Sequence, residues 1–471
     1  MVSCPRRIPD VPRYLRSVCL ALFLTACSGT DVQGTGGASG VGDPYFPLAG
    51  NGGYDVTHYG LALAYDPGGD RLTGTAVITA RAERDLSAFD LDLAGLDVDK
   101  AEVGGTGSAV ARDGQELTVR PDRTLAKGET FRVSVRYSGT PRTITDPDGS
   151  KEGWLRTADG ALALGEPTGS MAWFPGNHHP SDKASYDIAV TVPKGLTAVS
   201  NGELRSRRTD GGRTTFTWHT AEPMASHAAT LAIGRYTVTR SRLRTGLPVY
   251  VAVDPTQAAP SKAVLARLPE AMAWSERSFG PYPFSSTGAI VDRPEDSAYA
   301  LETQTRPVFP GAPDTVTLVH ELAHQWFGDS VTPKTWRDMW LNEGFATYAE
   351  WLWTEDEGGP TAEETFTDLY DHGEERYPDL WSFPPAHPST AAQISSSPVY
   401  QRGAMVIHRI RETVGDDTFH TLVQGWARAH RHGNANTTDF TTYVERQAPG
   451  TDFTSVWTDW LYGEGKPDRP R

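Results

Sequence analysis

The sequence predicts an α+β protein of two domains, an N-terminal all-β domain over residues 50–245 and a mainly α-helical domain over residues 246–471. Three observations support this prediction. The chain has 471 residues, more than one ordinary domain contains. Between about Tyr54 and Arg240, apolar and polar residues alternate in short runs, which is typical of strands. Beyond about Leu247 the apolar residues recur at helical spacing.

The first 26 residues have the pattern of an export signal. Arginines precede the apolar run SVCLALFLTA, which is too short to span a bilayer. The run ends in LTAC, which resembles the lipobox at which bacterial lipoproteins are cleaved and receive lipid, here on Cys27. We therefore expect an exported protein anchored at the outer face of the bacterial cytoplasmic membrane, with residues 27–49 as a flexible tether. An ordinary cleaved signal is the alternative.

Composition and charge narrow the classes of function. An aromatic content of 10% and a charged fraction of 22% are typical of a globular chain. The formal net charge of -15 argues against nucleic acid or an anionic membrane surface as a partner, because both are bound through basic patches. A neutral or cationic substrate fits this charge better.

The elements follow from these patterns in chain order. The segments YGLALAYD, LTGTAVITARAE, FRVSVRYSG and YDIAVTV alternate with period two and predict strands separated by Gly, Asp and Pro turns. SKAVLARLPEAMAWSERSFG predicts a helix that ends at Gly280, and STGAIVDRPEDSAYALETQTRPVF predicts a short β segment. Further helices are expected around residues 341–355, 402–413 and 437–447. Gly415 would close one helix, and Thr437 or Thr438 would cap another.

The stretch LVHELAHQWFGD, residues 318–329, places two histidines one helical turn apart. Positions i and i+4 share a helix face, so His320 and His324 can point at one ion with Glu321 beside them. Asp314 or Thr315 would cap this helix. The alternative is a core helix with two hydrogen-bonded histidines. A third ligand would distinguish a metal site from this alternative.

Glu343 is the candidate third ligand. It follows His324 after eighteen residues, within WRDMWLNEGFATYAEWLW and near the start of a second helix. A His, His, Glu set with one open position suits a single catalytic zinc ion, whereas a structural zinc site is closed by a fourth protein ligand. The pattern HExxH, eighteen residues and then NEGFA resembles the gluzincin metallopeptidases of the aminopeptidase N family.

The resemblance implies a fold and a chemistry. Members of the family carry a saddle-like β domain ahead of a thermolysin-like zinc domain, and they hydrolyse peptides. Glu321 matches the family's general base. SPVYQRGAMVIHRI is similar to the family's Tyr-x-Lys-Gly-Ala segment, which assigns oxyanion stabilisation to Tyr400, with Arg402 in place of the lysine. Without the resemblance, Tyr400 would be a half-buried strand or loop residue.

One further segment resembles the family's substrate-binding edge. In DSAYALETQTRPVF, Ala300 and Glu302 match the Gly-Ala-Met-Glu-Asn motif. Leu301 replaces its methionine, and Tyr299 and Thr303 do not match. In relatives this edge pairs with extended substrate, and its glutamate binds the free α-ammonium group. A solvated strand carboxylate is the other interpretation of Glu302.

In the β domain, LALGEPTGSMAWFPGNHHPSDKASYDI resembles the family stretch whose glutamate reaches the substrate amine across the domain boundary. Glu166 matches that glutamate, while Leu164 stands where many relatives have Gln, which suggests an altered first side-chain pocket. Two carboxylates at the amine would favour a charged N-terminus. The adjacent His178 and His179 are expected to point apart as structural residues rather than to bind a second metal.

Supporting residues are expected around the second ligand helix. Glu350 lies seven residues after Glu343, on the same helix face, and is a candidate hydrogen-bond partner for a ligand histidine. An exposed helix carboxylate is the alternative. Trp336, Asp338 and Trp340 are expected to support the helix.

Taken together, these patterns predict a lipid-anchored zinc aminopeptidase that removes the first residue from peptides with a free N-terminus. A zinc endopeptidase is the second interpretation, because the resemblance ends near residue 466, short of the further domains of longer relatives, and the cleft should be more open. A surface lipoprotein that binds peptides without turnover is the third.

Overall fold

The computed structural model describes residues 32–469, so the predicted export signal and Cys27 lie outside the described residues. The strands of this part of the chain are β1 (Thr35–Gly36), β2 (Ala38–Ser39), β3 (Asn51–Gly52), β4 (Tyr54–Asp66), β5 (Arg71–Ala82), β6 (Leu86–Asp92), β7 (Asp97–Val103), β8 (Thr106–Gly107), β9 (Ala109–Asp113), β10 (Glu116–Arg120), β11 (Thr130–Gly139), β12 (Thr143–Thr145), β13 (Lys151–Arg156), β14 (Ala161–Leu164), β15 (Lys183–Pro193), β16 (Thr197–Ser200), β17 (Glu203–Asp210), β18 (Arg213–Ala225), β19 (Leu231–Gly234), β20 (Thr237–Arg242), β21 (Pro248–Val253), β22 (Thr287–Asp292), β23 (Val308–Pro310), β24 (Val331–Pro333) and β25 (Gly433–Ala435).

The α-helices of the same part are α1 (Ala258–Ala266), α2 (Leu268–Phe279), α3 (Thr315–Ala323), α4 (Trp340–Asp356), α5 (Ala362–Arg376), α6 (Gly403–Val414), α7 (Asp416–Ala429) and α8 (Thr437–Gln447). Short 3-10 or π-helical turns occupy Gly169–Ala172, Ser226–Ala228, Trp336–Asp338, Ala391–Gln393, Pro398–Arg402 and Val456–Leu461. Over residues 32–469, no helix has the length and apolar character needed to cross a membrane.

The N-terminal half is built largely from three sheets. The largest has eight strands in the order β17-β18-β15-β4-β5-β11-β7-β8. A five-stranded sheet, β12-β13-β14-β19-β16, and a four-stranded sheet, β1-β6-β10-β9, contribute buried side chains to the same core. Buried and exposed positions alternate along β5, as a sheet with one buried face requires. The prediction of an all-β first half followed by a helical half is confirmed.

A mixed sheet, β20-β21-β22-β23, joins the two halves. Successive side chains of β22 enter different cores, because neighbouring residues of a strand point to opposite faces. Ile290 packs in the core of the β half, whereas Ala289 and Val291 pack in the core of the helical half. The division expected at residue 245 therefore falls inside a shared sheet, between β20 and β21, and not in a linker.

The expected helices are present, but the segment expected as one helix ending at Gly280 forms two, α1 and α2, and the N-cap of α8 differs. α4, α6 and α8 coincide with the helices expected around residues 341–355, 402–413 and 437–447. Gly280 ends α2 with a positive φ of 95°. The cap of α8 is Asn436 and not a threonine, because the Asn436 side chain accepts the N–H of Asp439 at 2.8 Å and the Asp439 carboxylate accepts the N–H of Asn436 at 3.0 Å.

The described part of the expected tether is packed against the protein. Its first strands, β1 and β2, pair with β6 and β3. The buried carboxylate of Asp43 accepts the backbone N–H of Trp336 at 3.0 Å and lies 3.3 Å from Nε2 of His179. Phe46 packs edge-on against the Trp336 ring, with centroids 6.0 Å apart. The prediction of a flexible tether is wrong for residues 35–49, since two side chains anchor this Gly-rich segment.

Candidate metal centre

The two histidines of the metal motif lie on α3, whose start is fixed by Asp314. The Asp314 side chain accepts the N–H of Thr317 at 2.7 Å, so Asp314 and not Thr315 is the N-cap. A cap of this kind stabilises a helix by about 1 kcal/mol. His320 lies in the last turn of α3 and His324 directly follows it. Their ring centroids are 4.6 Å apart, so both imidazoles border the same space.

Glu343, in the first turn of α4, completes the predicted ligand set. Its Oε2 lies 3.4 Å from Nε2 of His320 and 3.4 Å from Nε2 of His324. In a tetrahedral zinc site with ligand bonds of about 2.0–2.2 Å, donor atoms stand about 3.3–3.6 Å apart. The two histidine–glutamate separations therefore match the edges of a tetrahedral zinc site.

Both histidines are held by partners at their other ring nitrogen. Nδ1–H of His320 donates to Oε1 of Glu350 at 2.6 Å, as the helical spacing predicts. Nδ1–H of His324 donates to Oδ1 of Asn342 at 2.6 Å. In this tautomer each ring presents the lone pair of Nε2 to the side where Glu343 lies.

The charge and hydrogen bonding of Glu343 also fit a bound cation. Burial raises the pKa of Glu343, but the two histidines, when protonated in the absence of an ion, outweigh this effect and bring the pKa to about 2. Its Oε2 is buried and has no hydrogen-bond partner among the described residues. An ionised, buried and unpartnered carboxylate oxygen is costly unless a cation satisfies it. The residues present therefore fit zinc.

Glu321 lies beside this set without other polar partners. Its Oε2 has no hydrogen-bond partner within residues 32–469, and the residue is 5% exposed. Burial raises the pKa of Glu321 to about 8 against the opposing charge of the two histidines, and the carboxylates of Glu302 and Glu343 add to the rise. A carboxyl group with a pKa near neutrality can both accept and return a proton.

Tyr400 approaches the set from the π-helical turn ahead of α6. Its ring is nearly parallel to that of His320, at 9° with centroids 6.4 Å apart. The turn reaches this place because α4 and α6 meet through two glycines: a Cβ on Gly344 would stand 3.0 Å from the carbonyl carbon of Gly403. Burial and the neighbouring carboxylates raise the pKa of Tyr400 well above its usual value, so the hydroxyl retains its proton as a donor.

Two more carboxylates, Glu166 and Glu302, stand next to the ligand set. Each offers an oxygen within 4.8 Å of the other and of a Glu343 oxygen. Glu166 comes from the β half, just after β14, and Glu302 follows Leu301 in the segment before α3. Burial and then the charge of Glu302 raise the pKa of Glu166 well above its usual range. Three such groups are stable together as anions only with cationic partners.

The predicted site residues border one cavity of about 510 Å³. Ala300 lies in its wall beside Glu302, and Tyr299 and Phe46 add aromatic surface. Seven carboxylates line the cavity: Asp146, Asp148, Glu166, Glu302, Glu321, Glu343 and Glu350. Among the residues that the structure describes, no lysine or arginine lines it. The cavity therefore carries a strong negative potential that favours cationic groups.

The adjacent histidines of the β half are structural. Nε2 of His178 lies 2.9 Å from the carbonyl oxygen of Phe174. Nδ1 of His179 lies 2.6 Å from Oγ of Ser181. Both rings are buried and face different partners, as expected from their adjacent positions.

Asn342 has no assigned role in the motifs above, yet it links two parts of the site. Its Oδ1 accepts from His324, while its Nδ2 donates to Oε1 of Glu302 at 2.8 Å. Gly328, at a φ of 131°, leaves room for it, because a Cβ there would stand 2.1 Å from the Asn342 Oδ1. The signal for this residue was its position directly before Glu343 in NEGFA.

His227 also reaches the site, and no spacing in the sequence points to it. Its Nε2 lies 3.9 Å from a carboxylate oxygen of Glu166, and its ring packs edge-on against Trp336. Burial lowers the pKa of His227 to about 3, so the ring is neutral beside Glu166. This contact depends on the fold alone.

Known protein families and sequences match both halves of the chain. Residues 55–227 match the Peptidase M1 N-terminal domain, and residues 311–460 match the Peptidase family M1 domain. Aminopeptidase 2 of Candida albicans is 25% identical over 494 residues, covering 97% of this chain and 52% of that protein. Glutamyl aminopeptidase of Mus musculus is 26% identical over 385 residues, covering 72% and 39%. The chain thus spans about half, or less, of the length of these curated relatives.

Solved structures match the chain over most of its length. The M1 zinc metallopeptidase from Deinococcus radiodurans has a TM-score of 0.84 and 31% identity, and the match covers 92% of this chain and 99% of that one. A mutant M1 zinc metallopeptidase from the same organism, bound to a Tyr-Ser-Ala substrate, has a TM-score of 0.84 and 30% identity with the same coverage. The predicted two-domain fold and the predicted zinc cofactor agree with these matches. The chain belongs to the M1 family of zinc metallopeptidases.

Proposed function

We propose that this chain is a zinc-dependent aminopeptidase that hydrolyses the first peptide bond of peptides with a free N-terminus. One observation carries the proposal: Glu166 and Glu302, which the metal set does not need, each offer an oxygen within 4.8 Å of a Glu343 oxygen. An α-ammonium group is the part of a peptide that two such carboxylates would bind. The curated relatives are named as aminopeptidases, which supports the same activity.

His320, His324 and Glu343 would hold the ion. Bound there, zinc would polarise the scissile carbonyl and lower the pKa of water. Glu321 acts at its unpartnered Oε2, which accepts a proton from the attacking water and returns it to the leaving amine nitrogen. Proton transfer by a positioned side chain contributes about 10²–10⁴-fold to the rate.

Tyr400 stabilises the charge that develops on the carbonyl oxygen. Its hydroxyl remains protonated because its pKa is raised, and it donates a hydrogen bond to the oxyanion. The parallel contact with His320 and the close approach of α4 and α6 keep the turn in place. Removing one donor of this kind costs about 10²–10³-fold in rate.

Glu166 and Glu302 set the position of cleavage. An α-ammonium group between them places the first peptide bond beside the ligand set, and Ala300 lies in the adjoining wall for the extended substrate backbone. A capped or internal segment would leave the buried Glu302 and the half-buried Glu166 without a cation. An endopeptidase would require both groups to be irrelevant to substrate binding, which their position beside the metal set argues against.

The remaining wall indicates which first residue is favoured. Asp146 and Asp148 line the cavity and have no part in the chemistry above. Tyr299 and Phe46 offer rings along which a long side chain can lie. We propose that cationic and neutral first residues are cleaved in preference to acidic ones.

Hydrolysis of aminoacyl-coumarin substrates beside their N-acetylated forms tests the proposal, with and without a chelator. We expect cleavage of the free-amine series alone, and loss of that cleavage when zinc is removed. Zinc-dependent cleavage of the capped series at equal rates would make the chain an endopeptidase. If zinc-loaded protein binds peptides but does not cleave them, the chain is a peptide-binding lipoprotein and not a peptidase.

We also propose that lipid on Cys27 anchors the protein at the outer face of the bacterial cytoplasmic membrane. The support is in the sequence: the arginines, the apolar run and LTAC. Residues 28–34 separate Cys27 from β1 and reach at most about 25 Å when extended, so the enzyme would work close to the membrane. A Cys27→Ser variant should move from the membrane fraction to the soluble fraction; unchanged partition would contradict the anchor.

A further inference from the structure

A second pocket lies on the helical half, where α5 and α6 meet, outside the catalytic cavity. Its volume is about 660 Å³, and five carboxylates and one guanidinium line it. The guanidinium, Arg411, is already paired with Glu355 and Asp416. Glu412 is paired with Arg409, so Glu363 and Asp417 are the lining carboxylates without an arginine partner among the described residues, and the lining as a whole is negative. His408 is the buried residue of this lining.

Three side chains in this pocket have the arrangement of metal ligands. His408 and Glu412 are four residues apart on α6 and so share one helix face, as the catalytic histidines do. Glu363, in the first turn of α5, faces them, and its Oε2 lies 3.0 Å from Nε2 of His408. One donor atom from each residue falls within 4.8 Å of the other two.

The imidazole of His408 is aimed at the pocket by its surroundings. The residue is 3% exposed, and its ring packs against Phe366 with centroids 5.1 Å apart. Its Nδ1 lies 3.1 Å from the hydroxyl of Tyr348, so Nε2 is the nitrogen that faces Glu363. Because a carboxylate only accepts, Nε2–H of His408 donates to Glu363 in this structure, and Nδ1 accepts from Tyr348. A cation bound between His408 and Glu363 would take the place of the Nε2 proton.

We propose that His408, Glu363 and Glu412 form a second divalent-cation site, of the zinc class, that ties α5 to α6. The donor set decides the class of ion, because imidazole with carboxylates suits zinc and its neighbours, whereas calcium and magnesium prefer oxygen ligands alone. The carboxylates of Glu363 and Glu412 are 60% and 32% exposed, so this site is open to solvent. We therefore expect it to bind zinc more weakly than the buried catalytic set.

Zinc at this site would also stabilise the helix that follows the Tyr400 turn. α6 begins at Gly403, directly after that turn, and packs against α4 through the same glycine. A cation that bridges α5 and α6 binds the folded state and not the unfolded chain, so it raises the melting temperature by an amount that grows with the logarithm of free zinc above the dissociation constant. The hydrolytic residues are not part of the site, so turnover is not expected to depend on it.

Zinc titration of the metal-free full chain by calorimetry tests the proposal, with metal content measured after dialysis. We expect two zinc ions per chain, and a rise in melting temperature on addition of the second equivalent. The double variant Glu363→Gln with Glu412→Gln should bind one ion, lose that second rise, and retain its peptidase rate. His408→Ala should give the same stoichiometry.

A matched control is Glu375→Gln, since Glu375 is an exposed carboxylate on α5 outside the cluster. This variant should still bind two ions. A stoichiometry of one in the unmodified chain, or of two in the double variant, would overturn the proposal and leave His408 and Glu363 as an ordinary hydrogen-bonded pair.

Discussion

The two walls of the catalytic cavity differ in how the chain builds them. One wall comes from α3 and α4 and carries the metal ligands and Glu321, so short-range helical spacing sets its geometry. The other wall takes its side chains from four separated segments: Phe46, Asp146, Glu166 and Glu302. The chemistry of the site therefore depends on local spacing, whereas the choice of substrate depends on long-range packing. Variants on the first wall should change turnover, and variants on the second should change selectivity.

The largest expected effect is on the helical wall, at Glu321. Glu321→Gln removes the proton acceptor while keeping the shape of the side chain, so kcat should fall by about 10²–10⁴-fold. The zinc content should stay at the unmodified level, because the three ligands are intact. Steady-state kinetics with metal analysis checks this, and a variant with more than a tenth of the original kcat would remove Glu321 from the mechanism.

Tyr400→Phe should have the next largest effect. It deletes one hydroxyl donor and keeps the ring beside His320, so kcat should fall by about 10²–10³-fold with little change in KM. The exposed Tyr462 offers a matched control, and Tyr462→Phe should leave both constants unchanged. A rise in KM alone would show that Tyr400 binds substrate and does not stabilise the oxyanion.

Glu350→Gln tests the support of the metal set. The change weakens the acceptor for Nδ1–H of His320, and zinc affinity should fall by about 10–100-fold. At saturating zinc the turnover should recover most of its original value. Competition with a chromogenic chelator measures the affinity, and equal affinity in both proteins would mean that the hydrogen bond from His320 to Glu350 does not support the metal site.

The smallest effect is expected on the other wall, at Asp146 and Asp148. Replacing both with Asn should lower kcat/KM for arginine and lysine substrates by about fivefold and leave leucine substrates unchanged, because each ion pair in a partly wet pocket contributes little. The comparison of kcat/KM across coumarin substrates measures this. Asp210→Asn, an exposed strand position, is the control. Equal losses on all substrates would indicate a structural role.

The metal motif was predictable from the sequence because residues four positions apart in a helix lie on the same face and close together. His320 and His324 are one turn apart, and the fixed interval to Glu343 identifies the second helix. The strands of the β half were predictable from period-two alternation, since that sheet has one buried face. The helix α5 carried an unused signal, because Thr361 and Glu364 form a capping box at its start.

The substrate wall was not predictable in the same way. Asp43 contacts Trp336 across 293 residues, and this contact brings the segment that carries Phe46 to the cavity. The segment is Gly-rich and polar, which predicts a tether, and only tertiary packing overrides that composition. His227 meets Glu166 for the same reason, through the fold and not through any spacing.

The most direct test of N-terminus recognition compares free-amine and N-acetylated substrates in the unmodified chain and in the double variant Glu166→Gln with Glu302→Gln. We expect a strong preference for the free amine in the unmodified chain. In the double variant that preference should collapse by about 10²-fold or more through loss of the free-amine kcat/KM, since two charged partners of the ammonium group are gone. Cleavage of the acetylated series should not change. An unaltered preference in the double variant, with zinc content intact, would contradict the assignment of the second wall to N-terminus recognition.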